Sequence, residues 1–121
     1  MDNYLIGIDI GTTGTKAMLF SDRGRILGHA YHAYSLNNPK VGYSEQNAED
    51  WWNAVQKTVR EVVSNVLNPA SVKAIAISSQ GGTLVPVDEM GRPLRSAIVW
   101  NDSRCRDEEN EFEREVGTKE Y

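Results

Sequence analysis

Ten residues near the start of the chain carry groups suited to binding a phosphate. The stretch GIDIGTTGTK, from Gly7 to Lys16, holds three glycines, three threonines, an aspartate and a lysine. Glycines let a backbone approach a ligand closely, and successive N–H groups can donate to phosphate oxygens. The spacing fits neither the Walker pattern GxxxxGK[ST] nor the dinucleotide pattern GxGxxG, both of which lead directly into a helix. The sequence therefore indicates a phosphate-binding loop of another construction.

The residues around this loop predict strands on both sides of it. The segments NYLIGIDI, TKAMLFSD and RILGHAYHAY are short, apolar and rich in strand-forming residues, which is typical of β-strands. Tight turns are expected at Thr12-Thr13-Gly14 and at Asp22-Arg23-Gly24, where Gly24 suits the left-handed position of a hairpin. We therefore expect an antiparallel three-stranded meander, with the glycine and threonine stretch as its first hairpin loop.

A helix is predicted next, beginning after Asn47 as N-cap and ending at Asn68-Pro69. Glu49 and Asp50 place negative charge in the first turn, where the helix dipole favours it. Apolar residues then recur at intervals of three and four, which predicts an amphipathic helix; they are Trp51, Trp52, Val55, Val59, Val62, Val63, Val66 and Leu67.

Three further elements are predicted after this helix. VKAIAIS is expected to be a strand buried on both faces and parallel to its neighbour. TLVPVDEMGRPLRSAIVW predicts two strands joined by a turn at Asp88 to Gly91. DSRCRDEENEFEREV predicts a second helix, capped by Asp102 or Ser103.

Composition limits the class of protein. A chain of 121 residues with 40% hydrophobic content suits one globular domain with its own core. The net charge of −4 argues against a nucleic acid or a membrane surface as partner. The single cysteine, Cys105, excludes a disulfide framework. Because no apolar stretch of membrane length and no signal peptide are evident, we expect a cytoplasmic protein.

The order of these elements, βββ then α, β, a β-hairpin and α, resembles the opening of the ribonuclease-H-like α/β fold. DIGTTGTK is similar to the first phosphate motif of the ATPase superfamily that includes actin, chaperones and sugar kinases. GYSEQNAEDWW resembles the FGGY carbohydrate kinases, as does IAISSQGGTLVPVDEMGRPLRSAIVWNDSR with its W-x-D-x-R ending. The resemblance implies that residues 1–121 are the N-terminal part of the kinase's N-terminal domain, with the nucleotide domain outside this chain.

The resemblance also implies roles in binding ATP and Mg²⁺. Asp9 occupies the position of the acid that lies near the metal ion, although taken alone it could be a turn-capping residue. Lys16 stands where many relatives have a cation near the phosphates, although a solvated lysine is the alternative. The residues expected at the ATP phosphates are Gly11, Thr12, Thr13, Gly14 and Lys16.

A second set of residues is implied to bind the sugar: Gln80, Gly81, Gly82, Trp100, Asn101, Asp102 and Arg104. An indole face offers apolar area to a sugar, whereas Asp and Arg offer directional hydrogen bonds to hydroxyl groups. The alternatives are a core role for Trp100, a helix-capping role for Asp102 and an ion pair with the following helix for Arg104. Gly81 and Gly82 stand where glycerol kinases have Arg-Glu and xylulose kinases have Met-His. No side chain is therefore available at these two positions to contact the sugar.

The function implied by the resemblance is ATP-dependent phosphorylation of a sugar or polyol hydroxyl, nearest to the xylulose and gluconate kinase branches. The alternatives are a non-kinase ATPase and a phosphate-binding domain of the same superfamily. The catalytic base is expected downstream of Tyr121, so that this chain alone should be inactive. A small-molecule sugar and ATP are the expected partners, with no nucleic acid and no membrane, and the full-length protein is a candidate homodimer.

Overall fold

The computed structural model of the chain describes residues 3–64, 66 and 68–117. A one-turn 3₁₀ helix, Pro69–Ser71, precedes the fifth strand. The strands and helices are β1 (Tyr4–Ile10), β2 (Gly14–Ser21), β3 (Ile26–Ala33), β4 (Glu45–Gln46), α1 (Ala48–Val63), β5 (Val72–Ser79), β6 (Ala97–Ile98) and α2 (Arg106–Val116).

The main sheet has the strand order β3-β2-β1-β5. β1 pairs antiparallel with β2, β2 pairs antiparallel with β3, and β5 lies parallel to β1. Gly24 adopts a φ of 76° in the β2–β3 turn, as the hairpin prediction requires. The predicted meander followed by a parallel strand is thus confirmed, and the fold class is α/β.

One face of this sheet packs against α1 and forms the core. Ile6, Ile8 and Leu19 project from the strands, and Val62 from the helix meets them; each is at most 5% exposed. These positions alternate along β1 because successive strand residues point to opposite faces. Burying a side chain of this size contributes about 1.5–3 kcal/mol. The core therefore holds the first hairpin rigidly against the helix.

The N-terminus of α1 forms as predicted. The Asn47 side chain accepts a hydrogen bond from the Glu49 backbone N–H at 3.1 Å, and Glu49 and Asp50 occupy the first turn. The helix ends at Val63, earlier than the predicted stop, and Asn68 instead caps the 3₁₀ turn. Leu67 lies outside the described residues.

Two predicted burial patterns are wrong. Trp52 belongs to the predicted apolar stripe but is 59% exposed. The β5 strand was expected to be buried on both faces, yet Ile75 and Ile77 are 54% and 64% exposed. Within the described residues β5 is an edge strand, and α1 packs chiefly on β2 and β3. An apolar run indicates that a strand can be buried on both faces. Whether it is buried depends on which other elements pack against those faces.

The segment 83–100, predicted to be a hairpin, is mostly irregular, so the two predicted strands are wrong. The predicted turn at Asp88 to Gly91 is confirmed. The Gly91 N–H donates to the Asp88 carbonyl at 2.9 Å, and Gly91 has a φ of 76°. Single bridges join Leu84 to Ile98 and Val87 to Pro93. Prolines at 86 and 93 cannot donate to a ladder, so the hairpin does not form continuous strands.

A two-stranded sheet that the sequence analysis did not predict replaces part of that hairpin. β4 pairs antiparallel with β6, matching Glu45 to Ile98 and Gln46 to Ala97. β4 lies between the predicted meander and the predicted helix, where no strand was predicted. Its two residues become a strand because a distant segment offers them backbone partners.

The second helix starts later than predicted. It spans Arg106–Val116 with Cys105 at the N-cap, and neither Asp102 nor Ser103 caps it. Ser103 instead donates its backbone N–H to the Gly42 carbonyl at 2.8 Å. Both candidate caps are occupied by tertiary contacts, so this prediction is wrong. Within residues 3–64, 66 and 68–117, no helix combines the length and the apolar composition needed to cross a membrane.

Candidate functional site

The β1–β2 hairpin tip is held in shape by hydrogen bonds within it and from β3. The Gly11 N–H donates to the Gly14 carbonyl at 3.1 Å. The Tyr31 hydroxyl donates to the Thr13 carbonyl at 3.1 Å, and the Tyr34 hydroxyl donates to the Gly11 carbonyl. A Cβ added at Gly14 would lie 2.4 Å from the Tyr31 hydroxyl oxygen. Glycine is thus required at Gly14, because only it permits this close approach.

Tyr34 was not identified from the sequence, although it contacts the hairpin directly. Burial raises the pKa of its hydroxyl above the usual 10.0, a hydrogen bond with Thr15 opposes this, and the neighbouring acidic groups of Tyr31 and Asp9 add to it. The hydroxyl therefore remains protonated at neutral pH and can donate to the Gly11 carbonyl. A tyrosine just after a strand carries no signal of this role in the sequence.

Asp9 and Lys16 face each other across the first two strands. They are partners in the β1–β2 register, and both are exposed. Together they line a cavity of about 320 Å³ on the sheet face that also includes Met18 and Phe20. The predicted metal-binding acid and the predicted cation thus lie side by side.

A second cleft, of about 390 Å³, joins the two sets of residues that the sequence analysis separated. Its lining residues are Asp9, Gly11, Thr12, Ser79, Gln80, Gly81 and Trp100. The Trp100 indole N–H donates to the Thr12 hydroxyl oxygen at 3.0 Å, across 88 residues of sequence. Because Trp100 is 60% exposed, its alternative interpretation as a core residue is wrong.

Gln80 ties the sugar-side loop to the phosphate hairpin. Its backbone N–H donates to the Ile10 carbonyl at 2.9 Å, which continues the alignment of β5 with β1. Its side-chain oxygen accepts from the Thr12 hydroxyl at 3.2 Å, and its side-chain amide donates to Gln46 at 3.1 Å. The loop after β5 is thereby fixed next to the hairpin tip.

The two glycines after Gln80 differ in their surroundings. A Cβ at Gly81 would meet nothing within 4 Å, whereas one at Gly82 would lie 3.4 Å from the Trp100 Cβ. Gly82 also has a φ of 63°, which side chains other than glycine rarely adopt. Gly81 thus leaves open space in the cleft, whereas Gly82 allows the backbone to adopt a positive φ.

Asp102 and Arg104 form an ion-pair cluster with Glu45 next to the cleft. An Arg104 Nη atom lies 2.7 Å from carboxylate oxygens of both Asp102 and Glu45. The guanidinium also stacks on the Tyr43 ring, 4.0 Å from its centroid. Asp102 further accepts the Ser44 backbone N–H at 2.6 Å. Arg104 pairs with β4 and with Asp102, so its proposed pairing with the following helix is not what these contacts show.

These contacts set the charge state of the cluster. The hydrogen bonds from Arg104 lower the pKa of the Asp102 carboxyl well below its usual range, and the Ser44 N–H adds to this against the opposing effect of burial. The bonds to Asp102 and Glu45 raise the pKa of Arg104. Both groups are therefore charged at every physiological pH. Asp102 and Arg104 lie outside the set that lines the cleft, whereas the exposed Asn101 adjoins Trp100.

The segment from Gly42 to Gln46 contributes residues that the sequence analysis did not assign. Glu45 and Tyr43 hold Arg104, and Gln46 is 1% exposed beneath the hairpin tip. The G-aromatic-x-E-Q pattern marked this segment, but its polar residues next to a helix cap are also typical of a solvated connection. Their partners lie up to 61 residues away, beyond any local pattern.

Among the described residues that line this cleft, Asp9 is the single carboxylate available for a metal ion. In the part of the chain that the structure describes, no three His, Cys, Asp or Glu residues are grouped to hold a metal. Magnesium bound with a nucleotide usually takes one or two protein carboxylates and completes its shell with phosphate oxygens and water. The exposed Asp9 at the carboxyl end of β1 fits that requirement.

Known proteins resemble this chain in sequence and in fold. A model of the FGGY family of carbohydrate kinases, N-terminal domain, matches residues 4–121. The chain is 39% identical over 107 residues to a glycerol kinase of Leptospira biflexa, covering 87% of this chain and 22% of that protein. It is 32% identical over 114 residues to a xylulose kinase of Staphylococcus xylosus, covering 94% and 23%.

The solved structure of a gluconate kinase from Lactobacillus acidophilus superposes with a TM-score of 0.90 at 26% identity, covering 97% of this chain and 23% of that one. The chain therefore spans less than a quarter of the length of these relatives. The predicted ribonuclease-H-like fold of the sugar kinases is confirmed by this superposition. With its sequence matched from residue 4 to residue 121, the chain belongs to the FGGY family of carbohydrate kinases.

Proposed function

We propose that the protein containing this chain transfers the γ-phosphoryl group of ATP to a hydroxyl of a sugar or polyol. The observation that carries the proposal is the hydrogen bond from Trp100 to Thr12, which joins the sugar-side segment and the phosphate hairpin in one cleft. Phosphoryl transfer depends on holding the attacking and leaving oxygens in line. A cleft shared by both segments is the arrangement that such positioning requires.

The hairpin is proposed to bind the ATP phosphates through Gly11, Thr12, Thr13 and Gly14. Since the Gly11 N–H is already donated to Gly14, the backbone N–H groups of Thr12 and Thr13 are the proposed donors. The two glycines let the phosphates approach the backbone. Lys16, beside Asp9 in the strand register, is proposed to add positive charge near the phosphates.

Asp9 is proposed to hold Mg²⁺, directly or through water. When bound, Mg²⁺ neutralises part of the negative charge on the transferring phosphoryl group. Asp9 would hold the positive charge of the ion beside the hairpin, because Asp9 lies at the end of β1 and lines the cleft. A neighbouring lysine and an exposed carboxylate also keep the entrance of the site polar.

The sugar is proposed to lie against Trp100, with Gln80, Gly81, Gly82 and Asn101 around it. The exposed indole offers an apolar face, and the backbone at Gly81 offers hydrogen-bonding groups. Asp102 and Arg104 are proposed to act on the sugar side by holding the Trp100 segment through their ion pairs with Glu45. The base that activates the sugar hydroxyl is proposed to come from a part of the protein outside this chain.

The open space at Gly81 favours an acceptor larger than glycerol. A side chain at this position would fill the cleft, so its absence leaves room for the additional carbons of a pentulose or an aldonate. The relatives of the chain include kinases named for glycerol, xylulose and gluconate, so identity alone does not separate these substrates. We propose a xylulose- or gluconate-type acceptor.

The test is ADP release by the full-length protein with ATP and Mg²⁺, across a panel of ketoses, aldonates and polyols that includes glycerol. We expect ADP release that depends on the added acceptor, with a higher kcat/KM for a five- or six-carbon acceptor than for glycerol. ADP release that no acceptor stimulates would contradict the kinase proposal. A preference for glycerol would contradict the substrate class alone.

A further inference from the structure

Gln46 is a buried amide whose hydrogen bonds reach the hairpin tip from below. Its Nε2 donates to the Thr12 carbonyl at 2.6 Å and to the Ser35 carbonyl at 3.4 Å. Its Oε1 accepts from the Trp51 indole N–H at 3.2 Å and from the Gln80 side-chain amide at 3.1 Å. The side chain is 1% exposed, so it cannot itself contact a ligand.

These contacts close into a ring. The Thr12 hydroxyl donates to the Gln80 Oε1 at 3.2 Å, the Gln80 amide donates to Gln46, and Gln46 donates back to the Thr12 carbonyl. Thr12 is thereby held twice, through its side chain and through its backbone. The Trp100 indole N–H joins the ring from the cleft side by donating to the same Thr12 hydroxyl at 3.0 Å.

The direction of every hydrogen bond in the ring is determined by its neighbours. An indole N–H can only donate and a backbone carbonyl can only accept, so Trp51 and the Thr12 carbonyl orient the Gln46 amide. The orientation of Gln46 then determines that of Gln80. The Thr12 hydroxyl accepts from Trp100 and must direct its own hydrogen to Gln80. An ionised glutamate in place of Gln46 would put a carboxylate oxygen, which cannot donate, next to the Thr12 carbonyl. The hydrogen bond to Thr12 would then be lost.

We propose that Gln46 is a positioning residue that couples the sugar-side loop to the phosphate hairpin through Thr12. This inference rests on the proposed kinase function. Gln46 holds Thr12 in a fixed position relative to Gln80 and Trp100. The same residue, Thr12, therefore aligns the acceptor with the phosphates. Misplacement of a reacting group by about 1 Å can lower a rate by about 10²-fold. Loss of Gln46 should therefore reduce kcat more than it raises either KM.

The test compares Gln46→Met and Gln46→Glu with Gln56→Glu in the full-length protein. Gln56 lies on α1 and bonds to Arg60 at 3.2 Å on the exposed surface, so it is a matched control for the same chemical change. We expect Gln46→Met to lower kcat about 10- to 100-fold, with each KM changed less than threefold. Gln56→Glu should remain within twofold of the wild-type protein.

The Gln46→Glu variant adds a second measurement. Burial raises the pKa of a carboxyl group, and a protonated Glu can donate to the Thr12 carbonyl as the amide does. The remaining side chains of the ring are neutral, and the charged or titratable side chains on the elements around it include Asp9 on β1, Lys16 on β2, His32 on β3, Glu45 on β4 and Asp50 on α1. We expect the ratio of variant to wild-type kcat to rise as pH falls from about 8 to 6, because the ratio removes every pH effect that the two proteins share.

A third measurement does not depend on catalysis. In full-length protein labelled with ¹⁵N-tryptophan, Gln46→Met should shift the indole resonance of Trp100, which the Gln46 side chain reaches through Thr12 and Gln80, and leave that of Trp52 unchanged. An unshifted Trp100 resonance, or a Gln46→Met kcat within twofold of the wild type, would overturn the inference. Wild-type protein with no acceptor-dependent turnover but a shifted Trp100 resonance would overturn the kinase proposal and leave the ring supported.

Discussion

The two halves of the cleft are built by different means. The phosphate half is a hairpin between long paired strands, with a register that runs from Tyr4 with Ser21 to Ile10 with Thr15. The sugar half, residues 80–104, has two residues of strand and is held by isolated backbone hydrogen bonds, such as that from the Val99 N–H to the Ser44 carbonyl, together with side chains such as Arg104. The first half owes its shape to continuous strand pairing, whereas the second owes it to separate backbone and side-chain contacts. Substitutions in the first should alter chemistry, and those in the second should alter stability and specificity.

The largest effect is expected at Asp9. In the full-length protein, Asp9→Ala should lower kcat by about 100-fold or more, because loss of metal-ion charge stabilisation costs several kcal/mol. The fold should be unchanged, since Asp9 is exposed and its strand pairing uses backbone groups. ADP-release kinetics with circular dichroism would check both points. Turnover near the wild-type rate in folded Asp9→Ala protein would contradict the role of Asp9.

Trp100 should show a substrate-specific effect. Trp100→Ala removes the indole face and the hydrogen bond to Thr12, and loss of one aromatic contact of this kind should raise the KM for the acceptor about 10-fold. The KM for ATP should change much less. Trp100→Phe serves as the control, because it keeps an aromatic face without the N–H. A larger change in the KM for ATP than for the acceptor would place Trp100 on the nucleotide side.

Arg104 and Arg95 both contact Glu45, which permits a matched comparison of stability. Arg104 is 12% exposed at its side chain and also binds Asp102, whereas Arg95 is 49% exposed. Arg104→Ala should lower the denaturant midpoint distinctly, because Asp102 and Glu45 then lose their shared partner. Arg95→Ala should cost about 0–1 kcal/mol, as exposed ion pairs do. Equal midpoints for the two variants would show that the cluster does not hold the sugar half.

The same cluster predicts a dependence of stability on acid. Since folding lowers the pKa of Asp102 below its ordinary value of 3.8, its contribution is present above about pH 4 and is lost as pH falls below it. Asp102→Asn should therefore be less stable than the wild type at pH 7, and the gap should narrow below pH 4. Chemical unfolding at pH 3 to 7 measures this gap. A gap that is constant with pH would contradict the ion-pair explanation.

The smallest effects are expected at the two glycines. Gly82→Ala should cost about 1–2 kcal/mol, because alanine is strained at the positive φ of 63° found there. Gly81→Ala should stay within about 0.5 kcal/mol, since its Cβ meets nothing within 4 Å. Unfolding midpoints check the difference. Equal losses of stability in Gly81→Ala and Gly82→Ala would contradict the explanation from the positive φ of Gly82.

Much of the phosphate half could be predicted from the sequence because its determinants are local. Alternating apolar residues, tight turns and the Asn47 cap each specify an element over a few neighbouring positions, and adjacent strands pair through short loops. The hairpin loop, the meander, the parallel β5 and the start of α1 were all predicted correctly. The family resemblance was likewise carried by short motifs in order along the chain.

The tertiary structure alone decided the sugar half and the joining of the two halves. The pairing of β4 with β6, the ion pair of Arg104 with Glu45 and the ring of Thr12, Gln46 and Gln80 connect residues 34 to 68 positions apart. Such contacts produce no periodic pattern in the sequence. A single polar side chain can equally well be exposed to solvent, cap a helix or bind a buried partner. The sequence determined which groups are present and the hairpin that carries Thr12. Packing determined that Gln46, Gln80 and Trp100 all meet there, since a buried polar group must find its partner wherever the fold brings one.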